Sequence, residues 1–281
     1  MTSAAGTLYV VATPIGNLED LSPRARRILG EVGLIAAEDT RTARKLLDAC
    51  GLHVPLVSNH EHNEVQRVPQ LIRELEGGKD VALISEAGMP GISDPGFRLV
   101  REAQERGVQV VGVPGPSAGL TALSISGLPT DRFLFIGFMP AKESRRLRAL
   151  EALRREPGTL VVYESPKRIV SMLQDIHVSL PGREVAVGRE LTKVFEEVLR
   201  GMPLDVVAQL EANEGERLRG EMTLLIAGAG RGGRRQSGGK EDLDPSLSLK
   251  GVARAVSRVL DVPSRDVYQA LCRLKEQSPE E

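Results

Sequence analysis

The chain has 281 residues, 41% hydrophobic and 27% charged, a composition that excludes a mostly disordered protein and a length that buries a core without disulfides or metal staples. A formal net charge of −1 argues against a free-standing nucleic-acid binder, and 3% aromatic residues with no Trp argue against a surface that stacks single-stranded bases. The balance is uneven: residues 1–230 carry 27 Lys/Arg and 30 Asp/Glu, whereas residues 231–275 carry 10 and 5.

The run TLYVVAT (7–13) predicts a buried strand that stops at Pro14. Ser22–Pro23 opens a helix, with Ser as N-cap and Pro at the first helical position. LIAAED (34–39) reads as a short strand and TRTARKLLDAC (40–50) as a helix with an apolar stripe at Ala43, Leu46, Leu47 and Cys50. PLVSN (55–59), the helix 64–78, DVALISEAG (80–88), the helix 95–107, VQVVGVPG (108–115) and the helix 117–126 continue the alternation. Apolar strands separated by helices predict a mostly parallel sheet covered on both faces. From about residue 130 the pattern changes. Strands are expected at 133–138, 159–165, 183–191 and 220–228, and helices at 142–156, 166–176 and 203–212, with spacings that allow antiparallel pairing. The expected organisation is an N-terminal α/β lobe (1–120), a C-terminal α/β lobe with a mixed or antiparallel sheet (121–230), a flexible Gly/Arg linker (231–246) and a helix-turn-helix-like pair (247–281).

Cys50 and Cys272 form no C-x-x-C pair, and His60 and His62 are a weak ligand pair, so no metal site is expected. No signal-like N-terminus and no apolar run of about 18 residues is present, which predicts a cytoplasmic protein. Three Gly/Pro-punctuated loops follow strands: 12–22, 84–96 and 112–119. In an open α/β sheet, loops at strand carboxyl ends hold ligands, and these three predict a small-molecule site. The first lacks the dinucleotide G-x-G-x-x-G, and no P-loop is present.

Together, TPIGNLEDLS (13–22), AEDTR (37–41), SEAGMPGISDPG (85–96), VPGPSA (113–118) and GFMP (137–140) resemble the tetrapyrrole-methylase superfamily, and more narrowly its ribosomal branch of 16S rRNA cytidine 2′-O-methyltransferases. The resemblance spans residues 7–228 and extends to the C-terminal helix pair. It implies a bilobal fold, S-adenosylmethionine in the cleft between lobes, a homodimer, and methyl transfer to cytidine 1402 of 16S rRNA within the small ribosomal subunit. One departure is Glu86, where the family commonly has Asp, one methylene shorter.

A ribose hydroxyl is a weak nucleophile, so a general base is expected. Of the loop acids, Asp20 and Asp39 have capping alternatives, and Asp94 reads first as a cap for the helix after it. Glu38 and Glu86 are the expected catalytic residues. By resemblance, Gly88, Asp94, Pro95, Gly115, Pro116, Ser117 and Ala118 form the cofactor cradle. Met139, Pro140, Tyr163 and Thr192 close it from the second lobe, with Pro14 on the substrate side. Arg41, Arg44, Lys167 and Arg168 are the preferred phosphate contacts, joined by Arg231, Arg234 and Arg235 of the linker. The alternatives are a small-molecule methyltransferase of the tetrapyrrole/corrin pathway and a DNA-binding regulator using the helix pair. The basic arm disfavours the first; the near-neutral body and elaborate loops disfavour the second.

Overall fold

The computed structural model describes residues 5–212, 217–230, 265 and 267–271. The chain divides into two units, Met1–Arg234 and Arg235–Glu281. The described residues of the second unit are helical and fall within SRDVYQALCRLKE (264–276), the second helix of the predicted pair. The linker, the first predicted C-terminal helix and Arg231, Arg234 and Arg235 lie outside the described residues.

The first half runs β1 (Leu8–Val11), a 3-10 turn (Leu18–Asp20), α1 (Pro23–Glu31), β2 (Leu34–Ala37), α2 (Thr40–Ala49), β3 (Leu56–Ser58), α3 (Glu64–Glu76), β4 (Val81–Ile84), α4 (Phe97–Glu105), β5 (Val110–Val113) and α5 (Ala118–Ile125). Its strands pair in parallel in the order β3-β2-β4-β1-β5. Strand side chains alternate faces, and the core divides accordingly. Ile35 and Ala37 of β2 and Ala82 and Ile84 of β4 pack with Ile28, Leu29 and Leu47 of α1 and α2. Leu34, Ala36, Val81 and Leu83 pack with Leu71, Leu75 and Leu99 of α3 and α4. Both faces of β2 and β4 are therefore buried, which is why these strands read as unbroken apolar runs.

The second half runs β6 (Phe133–Phe138), α6 (Glu143–Ala152), β7 (Thr159–Glu164), α7 (Ile169–Ser179), β8 (Val185–Arg189), β9 (Glu197–Gly201), α8 (Pro203–Glu211) and β10 (Met222–Ile226). The sheet order is β6-β7-β10-β8-β9, with β6–β7 parallel and the other pairs antiparallel, as the mixed-sheet expectation required. The strand β9 is not among those expected from the sequence. It forms a hairpin with β8, and only Leu199 of its five residues is buried. One face of this sheet buries Leu160, Val162, Val187 and Leu224 against α6, α7 and α8. The other buries Val161, Ala186 and Leu225 against Ala122 and Leu123 of α5 and Ile15 of the first loop. The helix that leaves the parallel sheet thus covers the second sheet, and the cleft forms where α5 and the first loop meet it.

Candidate active site

The first three loops leave adjacent strand carboxyl ends and are tied to one another. Thr13 N donates to Gly88 O at 2.9 Å and Gly88 N donates to Thr13 O at 3.0 Å, so the first and second loops share a two-bond antiparallel bridge. Gly88 sits at φ +78, a left-handed conformation that suits glycine. The far end of the second loop is fixed from another helix. Gly96, at φ +137, begins α4, and its N–H donates to the buried Glu64 Oε1 of α3 at 3.0 Å. Glu64 therefore does what the sequence assigned to Asp94, whose side chain does not cap α4. The cap comes from 32 residues upstream. The loop also meets the second lobe: a Cβ on Gly137, at the β6 bulge, would lie 2.6 Å from Ser93 Oγ.

Asp94 instead faces a cavity of about 410 Å³, within the roughly 300–1,000 Å³ range of small-molecule sites. Glu38, Glu86 and Asp94 line it from the parallel sheet. Ala118 and Ile15 extend that wall, and Phe138, Tyr163, Leu191 and the start of β10 close it from the second lobe. The ring of Tyr163 packs edge-on against Phe135 and Phe138, at 5.1 and 5.8 Å between centroids. The cavity lining contains no Lys or Arg. Burial, helped by the charges of Asp94, Glu86 and Asp39, holds the Glu38 carboxyl above the usual carboxylate range, against the hydrogen bond it accepts from the Glu86 backbone. Burial also raises Asp94, with Glu86 adding to the effect and a hydrogen bond with Ser85 opposing it. Two carboxyls raised by burial in a shared cleft are a signature of acid–base sites.

The other acids separate from this group. Asp39 caps α2, accepting from Arg41 N at 2.7 Å, and pairs with the Arg41 side chain. The Arg41 side chain, by hydrogen bond and charge, holds Asp39 down at about 2. Asp20 lies in a neighbouring cavity.

The expected cofactor set divides the same way. Asp94, Ala118 and Tyr163 line the main cavity, while Gly115, Pro116 and Thr192 line a smaller adjoining one. Gly88 lies behind the lining, where a Cβ would be 3.6 Å from Ile15 and 3.7 Å from Pro116 O. Ser117 is the N-cap of α5, accepting from Leu120 N. Met139 is buried in the second-lobe core, 3% exposed, and so faces away from the cleft. Pro14, Pro95 and Pro140 are half-buried and line neither cavity. Arg41, Arg44 and Lys167 are exposed. Arg168 is not a free cation: its Nη2 donates to Met139 O at 2.8 Å and Pro140 O at 3.3 Å and lies 3.2 Å from the buried Glu164 Oε2. Arg168→Met is expected to destabilise the protein by about 3–5 kcal/mol by leaving Glu164 buried without its cation. Denaturant unfolding checks this; a loss below about 0.5 kcal/mol would mean that Arg168 is an ordinary surface cation.

Gly188, Ser93 and residues 220–223 also line the cavity and were not predicted. Gly188, a glycine inside a strand, carried a readable signal of close backbone approach. Ser93 belongs to the second loop itself, and residues 220–223 are brought in by the second lobe's folding. Among the described residues no group of His, Cys, Asp and Glu could hold a metal, and no helix is long and apolar enough to cross a membrane.

A sequence model of the Tetrapyrrole (Corrin/Porphyrin) Methylases matches residues 7–203. The chain is 46% identical to the ribosomal RNA small subunit methyltransferase I of Pseudomonas aeruginosa, over 95% of this chain and 96% of that protein. It is 44% identical to the protein of the same name from Xylella fastidiosa, over 95% and 99%. Among solved structures, the methyltransferase CobJ is similar with a TM-score of 0.59 at 20% identity, over 83% of this chain and 98% of that one. Uroporphyrin-III-C-methyltransferase from Thermus thermophilus has a TM-score of 0.55 at 21% identity, over 79% and 94%. At those identities the solved structures show a shared fold. The chain therefore belongs to the tetrapyrrole (corrin/porphyrin) methylase family, and within it to the group of ribosomal RNA small subunit methyltransferases I.

Proposed function

We propose that this protein transfers a methyl group from S-adenosylmethionine to a ribose 2′-hydroxyl of small-subunit ribosomal RNA, at cytidine 1402 of 16S rRNA. The observation that carries this reading is the cavity in which Glu38, Glu86 and Asp94 converge at the carboxyl edge of the parallel sheet. The residues fit the donor. None of these three carboxylates has an ion-pair partner among the described residues, so the cavity attracts a cation. Ile15, Ala118, Leu191 and Tyr163 supply apolar walls for an adenosine. S-adenosylmethionine, when bound, supplies a methyl group already activated on its sulfonium.

The chain's own residues then have three tasks. Glu38 takes the proton from the 2′-hydroxyl onto its carboxylate, and its raised pKa makes it a better base than an ordinary surface acid. The Glu86 backbone N–H, bonded to Glu38, orients that carboxylate. The two lobes exclude water and hold the reacting groups in line. Arg41, Arg44 and Lys167, exposed on the segments after β2 and β7, are suited to phosphates, and Arg231, Arg234 and Arg235 extend the same reading to the linker. Edge strand β6 exposes Phe133 and Leu134, an apolar edge that a second copy in a homodimer would cover. The reaction belongs to the cytoplasm, where small ribosomal subunits are assembled.

Labelled methyl transfer tests the reading. Tritium from labelled cofactor is expected in the RNA of small subunits lacking the modification, and not in corrin precursors or duplex DNA. Label in the corrin precursor alone would assign the chain to small-molecule methylation.

A further inference from the structure

Beside the main cavity lies a second one of about 290 Å³, and Ile15 is a wall of both. Asp20, Gly115, Pro116, Thr121 and Thr192 complete it. Two polar atoms of these residues, Asp20 Oδ2 and Thr192 Oγ1, are shielded from solvent and have no hydrogen-bond partner among the described residues. Orphaned polar atoms of this kind are rare in folded proteins and call for a partner. They come from opposite lobes: Asp20 ends the 3-10 turn of the first loop, and Thr192 lies in the turn between β8 and β9. Thr192 is held at φ +67, an outlying conformation for a β-branched residue. The first loop presses against it, since a Cβ on Gly16 would lie 3.0 Å from Thr192 Oγ1. Backbone strain of this kind clusters at ligand sites.

We propose that this smaller cavity reads the base of the nucleotide being methylated, by accepting an exocyclic amino group on Asp20 and donating to the neighbouring ring nitrogen from Thr192. The proposal rests on the reading of the chain as an RNA ribose methyltransferase. An ionised carboxylate only accepts hydrogen bonds, so its partner must be a donor. Cytosine presents its N4 amino group, for which Asp is a suitable acceptor. The ring N3 beside it is an acceptor that the Thr192 hydroxyl can satisfy. Uracil places a carbonyl oxygen where the amino group would be, against the carboxylate, and an N–H where the acceptor would be. The shared wall at Ile15 lets a nucleotide seated in this cavity carry its ribose towards the cavity that holds Glu38.

The test uses the full chain and reconstituted small subunits that carry either cytidine or uridine at the target position. Wild-type protein is expected to favour cytidine by roughly ten- to hundredfold in initial rate, the range of one good base-edge contact pair. Asp20→Asn, whose amide both donates and accepts, is expected to shrink that preference at least about fivefold while S-adenosylmethionine affinity by calorimetry stays within about twofold. Thr192→Val, which replaces the hydroxyl by a methyl group of similar size, is expected to shrink it in the same direction and covers the case in which the Asp20 variant does not fold. Unchanged preference in both variants, or no preference in the wild type, overturns the proposal while leaving the methyltransferase reading intact. Wild-type protein that labels neither subunit overturns that reading and takes this proposal with it.

Discussion

Glu38→Gln is expected to slow methyl transfer by about 10²–10⁴-fold, the usual contribution of a positioned general base, while the protein still binds its methyl donor. Glutamine keeps the shape of the side chain and its ability to accept from the Glu86 backbone, but it cannot take a proton. The burial that makes Glu38 a useful base also costs stability. Its folded-state pKa is raised above the unfolded value, so the carboxyl's contribution to stability is fully present below the unfolded pKa and is lost as pH rises through the folded pKa. Above the unfolded-state pKa the Glu38 carboxyl therefore destabilises the wild type relative to an uncharged side chain. Glu38→Gln should melt at a higher temperature than wild type at pH 7, with the difference fading as pH falls towards the ordinary carboxylate range. In the wild type, the rate should climb with pH through the Glu38 ionisation, and the variant should lack that limb. Single-turnover rates on small subunits across pH, beside thermal melts at the same pH values, check both. A variant with wild-type rate would move the base elsewhere, Asp94 being next, because burial raises it too.

The distance over which each contact is made separates what the sequence disclosed from what it did not. The parallel strands were legible because β2 and β4 are buried on both faces, so four consecutive apolar residues leave few alternatives. Glu38 and Glu86 were legible as cleft residues because they lie at the carboxyl ends of these strands, Glu38 next after β2 and Glu86 two residues past β4. The strand β9 was hidden by its charges. Glu197 pairs with Arg189 across the hairpin at 2.7 Å, a contact that local hydrophobic periodicity cannot register. Only the capping reading of Asp94 failed, because the sequence just before a helix suggests its own cap, whereas the acceptor arrives from Glu64 in another helix and Asp94 lines the cavity. Arg168 looked like a free cation at a strand end, but its partners are carbonyls 28 and 29 residues away. Met139 and Tyr163 were named alike as cleft residues, yet only Tyr163 faces the cavity, and that depends on how the second sheet packs on α5.

Gly88→Val is expected to weaken S-adenosylmethionine binding by more than about tenfold and to cost about 2 kcal/mol of stability, since a left-handed backbone alone costs about 1–2 kcal/mol in an L-residue and β-branching adds to it. Free space is not the obstacle. A Cβ at this position would sit in ordinary contact with Ile15 and Pro116, so the effect must come from φ +78. Relieving that strain means rotating the backbone, and both of the Gly88 hydrogen bonds run to Thr13. Rotation therefore shifts the first loop together with Glu86 and Ala87, which line the cavity two and one residues upstream. Gly107→Val supplies the control. Gly107 has nearly the same conformation, φ +73, with nothing within 4 Å of where a Cβ would stand, and it lies at the opposite end of the strands, between α4 and β5. It should lose similar stability and keep wild-type affinity. Gly115→Val tests the neighbouring loop by a different route. Its Cβ would lie 2.9 Å from Ala12 Cβ, so the loop must move off the end of β1 whatever its dihedrals. Calorimetric titration of the three variants, each first shown to be folded by its melt, separates strain from site. Equal affinity in Gly88→Val and Gly107→Val would mean that the bridge between the first two loops does not shape the cofactor cavity.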